Sequence, residues 1–510
     1  MACASKALIK GSLLFGIGSQ LNILSSKLPV IAICGATGTG KSKLAIELAR
    51  QLNSEVINVD AVQLYRGLDI ATNKVVPEET EGIVHHLLGC LDPIDGFYYN
   101  VHHYRRDCCR LIEFLRAQNK APILVGGTHY YLEAVLWRDF LRISDGHQDR
   151  MEFHSESDSK VPNRSWPPEL LAQLPPDPKD YYATLMNLDP VSALRHHPND
   201  TRKLQQAILT HFMCKNIDSA SPKKASISSS RRSEHPRYPP PESLIFWLDA
   251  DSGVLKPKLD ERVSEMVSRG LVRELDDFLT MAAKSFLPNQ SAVNSDSSVS
   301  TEEKKAVFQL ANAGLLPSTG TEHWCRGVLQ SIGFKEFEEY LQLSPAERDS
   351  KHGQAMLDEA IERMKNATKR YSKRQVGWIN NRFIRRPATG GIPVYRIDVT
   401  PILTASTSEM ADSLWTSCVL EPCLATLRGE CSPPALSPEP FVEPNPEPSS
   451  DSSSIPPPPY ICASCNGAIF VNYSQFQDHL SSRSHKKRLS SLKKRATNAN
   501  SISSFNKPIE

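Results

Sequence analysis

Apolar residues in the first part of the chain come in short, unbroken runs. VIAIC (Val30 to Cys34), EVINV (Glu55 to Val59), PILV (Pro122 to Val125) and, much later, SLIFWLDA (Ser243 to Ala250) predict strands buried on both faces. Between the early runs, stretches such as SKLAIELARQL repeat their apolar positions at helical spacing. Residues 29 to about 137 therefore predict a parallel α/β sheet with helices on both faces. Residues 179–212 are helical in pattern but interrupted at Pro190 and Pro198, which predicts a compact helical insertion. From Lys258 to Phe278, apolar and charged positions again alternate at helical spacing.

Elsewhere the periodicity fails. Residues 139–170 are polar and irregular, 215–241 are rich in serine, lysine and proline, and 284–304 in serine, asparagine and aspartate. From about Thr400 to Pro459, proline, serine and glutamate dominate, a composition expected to bury too little apolar area to offset ordering entropy. The expected organisation is an N-terminal extension (1–28) and a catalytic sheet domain (29–138 with 242–395) carrying a helical insertion (139–212). Disordered inserts (213–241 and 284–304), a linker (396–459), a small metal-binding module (460–490) and a basic tail (491–510) complete it.

Composition narrows the class. With 510 residues, 40% hydrophobic and 23% charged, the chain is large enough for two to four folding units and is ordinary for a globular protein. No apolar run approaches the roughly 18 residues of a membrane span, so no membrane partner is expected. A net charge of +2 means that affinity for nucleic acid must come from local basic patches. The 12 cysteines are mostly scattered singly, which suits a reducing compartment. The first 28 residues contain no acid and carry Lys6, Lys10 and Lys27 among serines and leucines, but no arginine precedes Arg50. An organelle presequence and an unstructured cytosolic extension both remain open.

Gly35-Ala36-Thr37-Gly38-Thr39-Gly40-Lys41-Ser42 follows an apolar strand and opens a helical stretch, the context of a P-loop. Its glycines let backbone N–H groups close around phosphate oxygens, Lys41 adds a cation, and Ser42 can ligate Mg²⁺. Such a loop recognises an oligophosphate without saying which. An NTPase would place an acid at the end of a second strand, but ILVGGTHYY puts Gly126, Gly127 and Thr128 there. The acid comes instead from Asp60, at the end of EVINVD, which can act as a base, bind metal or cap a turn.

Asp60-Ala61-Val62-Gln63-Leu64-Tyr65-Arg66-Gly67-Leu68-Asp69-Ile70-Ala71-Thr72-Asn73-Lys74, shortly after the P-loop, resembles the signature of the tRNA dimethylallyltransferase (tRNA isopentenyltransferase) family. His85-His86 with Leu87 and Leu88, Gly126 through Tyr131, His197 through Lys203, Gly327 through Glu336, and Thr368 through Gln375 with Trp378 stand in the family's order. The resemblance implies a P-loop NTPase-like sheet, dimethylallyl diphosphate as donor and N6 of the adenosine immediately 3′ of the anticodon as acceptor. It gives Asp60 the role of general base and Thr128 an assisting hydrogen bond. It also implies tRNA contacts from Asp60, Ala61, Val62 and Gln63 and from Arg202, Lys203, Leu204, Gln205 and Gln206, although Gln206 stands where the family is expected to carry arginine. Lys373 and Arg374 lie in a basic stretch interleaved with Tyr371 and Trp378, and contact with the diphosphate or the tRNA backbone is expected of them. His129 and Tyr130 either border the substrate channel or pack in the core.

Near the C-terminus, Cys462-x2-Cys465-x13-His479-x5-His485 has the ligand types and spacing of a tetrahedral zinc site, and Phe470, Phe476 and Leu480 can supply its small core. The basic SRSHKKRLSSLKKR run suits RNA backbone or nuclear import. The module resembles the fingers of RNA-associated proteins and of eukaryotic members of this transferase family. A monomer in cytoplasm and mitochondrion, with some nuclear presence, is the expected setting. A P-loop kinase or NTPase and a prenyltransferase of free adenine nucleotides remain as rival readings.

Overall fold

The computed structural model describes residues 28–93, 99–138, 168–193, 196–218, 235–286, 300–313, 328–384, 391–430, 460–465, 468–470 and 473–491. The expected N-terminal extension, most of the 139–170 and 213–241 segments and the expected tail at 491–510 fall largely outside them. Among the described residues no helix is long and apolar enough to cross a membrane. The chain divides into two compact units, residues 1–163 with 231–442 and residues 164–230 with 443–510.

In the first unit, β1 (Val30–Gly35), β2 (Val56–Asn58), β3 (His85–His86), β4 (Ile123–Val125), β5 (Ser243–Asp249) and β6 (Val394–Asp398) form one sheet in the order β3-β2-β4-β1-β5-β6. All its pairings are parallel, with Ile31 opposite Ile123 and Leu244. The unbroken apolar runs follow from burial on both faces. Val30, Ala32 and Cys34 pack into one core, and Ile31 and Ile33 into another. The four expected strands are present with slightly shorter or shifted ends, while β3 and β6 come from segments that carried no strand signal.

The helices that frame the site are α1 (Lys41–Gln51), α2 (Val101–Ala117), α3 (His129–Leu136), α4 (Ser252–Ser268), α5 (Leu271–Phe286), α6 (Thr301–Ala313), α7 (Phe334–Leu341) and α8 (Lys351–Trp378). α5 extends into the expected 284–304 insert, and α6 begins inside it. A third core of α4, α5, α7 and α8 residues, including Leu275, Phe334, Phe337 and Met364, lies beside the 65–71 segment.

Residues 400–430 correct the sequence reading, which assigned them to a linker. They form α9 (Ser408–Trp415), a π-helical segment (Thr416–Leu420) and α10 (Glu421–Arg428). Trp415, Val419, Cys423, Leu424 and Leu427 bury the stripe that recurs at three- and four-residue intervals, packing it with Ile31, Ile33 and Leu44. That apolar face outweighs the polar composition. The catalytic fold thus reaches to about residue 430, beyond the expected boundary at 395, and residues 431–459 of the expected linker lie outside the described residues.

The second unit contains helices Tyr181–Leu188 and Thr201–Asp218, which bury Tyr181, Leu185, Leu204 and Ile208 together. The second of these helices runs into the expected 213–241 insert. The same unit holds the antiparallel pair β7 (Tyr460–Cys462) and β8 (Ala468–Phe470) followed by the helix Tyr473–Ser481. Within it, the His197 Nε2 lies 3.2 Å from the Ile469 carbonyl.

Candidate functional site

The carboxyl ends of β1, β2 and β4 meet at one cavity of about 680 Å³ in the first unit. This is where a parallel sheet places its ligand crevice. β1 delivers the phosphate loop, whose Thr37, Gly38, Gly40, Lys41 and Ser42 line the cavity. Gly40 caps α1 in a left-handed conformation (φ 84°), and a Cβ there would stand 2.7 Å from the Trp415 ring, so glycine is required twice over. Lys41 bends back to donate to the Ala36 carbonyl at 2.6 Å. Burial, reinforced by the Arg262 guanidinium, brings its ammonium down to about 8.

β2 ends in Asn58, which fixes the next turn by accepting the Asp60 N–H at 3.2 Å and donating to the Asp60 and Leu87 carbonyls. Asp60 Oδ1 accepts the Val62 N–H at 3.2 Å and faces the Thr128 hydroxyl at 3.5 Å. Thr128 Oγ1 also accepts the Ala61 N–H at 3.0 Å. Burial raises the Asp60 carboxyl, opposed by the Val62 N–H, the Lys41 charge and the hydrogen bonds from Gly127 and Thr128.

The glycine pair after β4 permits this approach. A Cβ on Gly126 would lie 2.2 Å from the Val59 carbonyl oxygen, and one on Gly127 would lie 2.5 Å from the Gln375 amide nitrogen and 3.1 Å from Asp60 Oδ2. Gln375 of α8 joins the loops, accepting the Thr37 N–H at 2.8 Å and donating to the Gly127 carbonyl at 3.1 Å, where Tyr371 also donates. His129, at the start of α3, accepts the Gly35 N–H at 3.4 Å, and burial pushes its imidazole down to about 3, so it is neutral. Tyr130 lines the cavity mouth, 40% exposed and edge-on to Trp378 at 6.0 Å.

The chain from residue 63 to residue 382, well over half its length, matches the model of the IPP transferase family. The chain belongs to that family. Its similarity to a human tRNA dimethylallyltransferase is 31% identity over 94% of this chain and 89% of the relative. To a Schizosaccharomyces pombe protein of the same name it is 35% over 70% and 69%. A solved eukaryotic dimethylallyltransferase acting on tRNA is similar with a TM-score of 0.59 and 27% identity, covering 94% of this chain and all of that one.

In this IPP transferase the expected residues Asp60, Val62, Gln63, Thr128, Lys41, Ser42 and Arg374 share one cavity. Lys373 is exposed on α8 and is not among its lining residues. In the second unit, Arg202, Lys203 and Gln206 are exposed and Gln205 is half-buried. Leu204 corrects the expectation of a tRNA contact. Its side chain is fully buried among Leu185 and Ile208, because it occupies the apolar stripe of its helix. Arg262 of α4 also lines the cavity, but the sequence reading did not single it out. Within an alternating charged helix it carries no local signal.

The finger's four candidate ligand atoms lie within 4.8 Å of one another. Cys462 Sγ and Cys465 Sγ stand 3.6 and 3.4 Å from His485 Nδ1, which is 3.2 Å from His479 Nε2. Ligands about 2.0–2.3 Å from one tetrahedral metal ion are themselves roughly 3.3–3.8 Å apart, and these three separations stand close to that range. Tyr460 and Phe476 stack beside it at 5.6 Å.

Proposed function

We propose that this protein is a tRNA dimethylallyltransferase. It transfers the dimethylallyl group of dimethylallyl diphosphate to N6 of the adenosine immediately 3′ of the anticodon, releasing diphosphate. The observation that carries this reading is the convergence of a phosphate loop and an isolated carboxylate, Lys41 with Asp60 and Thr128, on one cavity.

In the reaction, the C1–O bond to diphosphate breaks and a C1–N6 bond forms. Gly35 through Ser42, with Lys41, Arg262 and Arg374, hold the departing diphosphate and balance the charge it gains. Magnesium, when bound, would neutralise charge on the diphosphate oxygens, and the exposed Ser42 hydroxyl is a hard oxygen donor suited to hold it. Asp60 takes the proton that N6 loses, and Thr128 holds the carboxylate in place. A stacked base cannot present N6, so the adenosine must enter extruded from the anticodon loop.

Exposed Arg202 and Lys203 and the finger's exposed Arg483, Lys486, Lys487 and Arg488 are positioned to engage RNA phosphates. Cys462, Cys465, His479 and His485 would hold a structural zinc. A monomer working in cytoplasm and mitochondrion, with a nuclear fraction directed by the basic tail, completes the proposal.

The test combines purified protein, Mg²⁺, labelled dimethylallyl diphosphate and unmodified tRNA, with parallel reactions on adenosine monophosphate and on ATP. Label should enter RNA alone, with no phosphate released from ATP. Preferential labelling of the free nucleotide, or ATP hydrolysis without prenylation, would sink the reading.

A further inference from the structure

Two antiparallel helices line the cavity, and on both the cavity-lining residues pass from polar to apolar with distance from the phosphate loop. On α4, Leu259 packs at Gly38, Arg262 stands one turn beyond, and Met266 follows one further turn away. On α8, read backwards from Gln375 at Thr37, the lining residues are Tyr371, Thr368 and then Met364. The Lys369–Asp260 ion pair at 2.9 Å and the packing of Val376 against the cluster of Ala36, Leu255 and Leu259 fix this pairing of the helices. The two methionines therefore arrive together at the end remote from the phosphate loop, 6% and 2% exposed, with Ala71 beside them at 8%.

We propose that Met266 and Met364 form the floor of the prenyl subsite and set its length, accepting a five-carbon tail and rejecting a ten-carbon one. This rests on the transferase reading above. From Arg262 to Met266 the helix rises about 6 Å. At carbon–carbon distances of about 1.5 Å one isoprene unit spans roughly 5 Å, so a single unit fills that depth and a second does not. The floor has little freedom to recede. Both methionines are backed by Val263, Leu275 and Ala360 in a close-packed core, so a longer tail meets filled space. Thioether side chains also suit a branched, unsaturated tail, because they are polarizable and adjust to irregular shape.

The full-length protein is assayed on unmodified tRNA with dimethylallyl and geranyl diphosphates, comparing kcat/KM. The wild type should prefer the shorter donor by about 100-fold or more, since even one methylene can be worth 10–200-fold in a fitted pocket. Met364→Ala and Met266→Ala should each raise the ten-carbon rate in absolute terms and shrink that preference by about tenfold. Calorimetric binding of the two unreactive thiolodiphosphates to the same variants should show the same relaxation without requiring turnover. Near-equal use of both donors by the wild type would overturn the gauge. So would variants that bind the five-carbon analogue but still reject the ten-carbon one. A wild type that transfers neither tail to tRNA would instead refute the underlying function, and the gauge with it.

Discussion

Gln375 accepts the Thr37 N–H at 2.8 Å, joining the phosphate loop to a helix that lies 338 residues further along the chain. The other end of the same amide donates to the Gly127 carbonyl beside Asp60. One side chain therefore sets the spacing between the diphosphate grip and the base. Gln375→Ala leaves the half-buried Thr37 N–H short of a partner, at about 1–3 kcal/mol, while the Gly127 carbonyl keeps only the Tyr371 hydroxyl. We expect kcat to fall about 10- to 100-fold with KM for the donor rising, and steady-state kinetics with a urea melt would separate the catalytic loss from the stability loss. A variant with wild-type kcat would show that the bridge has no catalytic role.

Asp60→Asn keeps the shape of the turn but removes the proton acceptor. Turnover should drop about 10²- to 10⁴-fold, while tRNA affinity by filter binding stays within about twofold. A parallel loss of binding would reassign Asp60 to RNA recognition.

Two of the cavity groups with shifted protonation, Lys41 and Asp60, make the pH profile asymmetric. Lys41 must be charged to hold diphosphate, and its ammonium sits at about 8, so donor kcat/KM should decline as pH rises through that value. Asp60 must be ionised, and burial raises its carboxyl, so the acid limb should lie above the ordinary aspartate range. Lys41→Arg should move the alkaline limb upward, and an unmoved limb would assign it to another group.

Trp415 packs in the core with Ile31, Ile33 and Leu44 and donates from its indole to Glu47. Trp415→Ala should destabilise the first unit by about 3–5 kcal/mol, read as a lowered denaturation midpoint with unchanged slope. Truncation after residue 400 should do the same or worse, whereas a true linker there could be cut without effect.

If the finger holds the zinc proposed for it, chelation or Cys465→Ser should expose residues 460–491 to proteolysis, since so small a core depends on its ligand set. KM for tRNA should rise severalfold while kcat holds. Unchanged KM would remove the finger from RNA engagement.

The site was legible where one local segment carries the chemistry. The phosphate loop, Asp60 and the two glycines before Thr128 each sit at a strand end, and their motifs announce it. β3, only His85–His86, and β6, Val394–Asp398, were hidden because neither is an unbroken apolar run: the first is two histidines and the second carries Arg396 and Asp398. Arg262 and the methionines were hidden for a different reason. Their importance lies in which face of an ordinary amphipathic helix meets the cavity, and only the packing of α4 on α8 decides that. Residues 400–430 were misread because composition was weighed over spacing, although Trp415, Val419, Cys423 and Leu427 already stand four apart.

The fit of the Trp415 ring over Gly40 also sets an order of events during synthesis. The loop that grips the diphosphate leaves the ribosome early, but its cover is made 375 residues later, roughly 20–75 s at 5–20 residues per second. Nascent chains stalled before that point should carry the whole phosphate-binding motif and still be unable to set it. Competence to hold the donor is thus withheld until translation has passed almost the entire catalytic region.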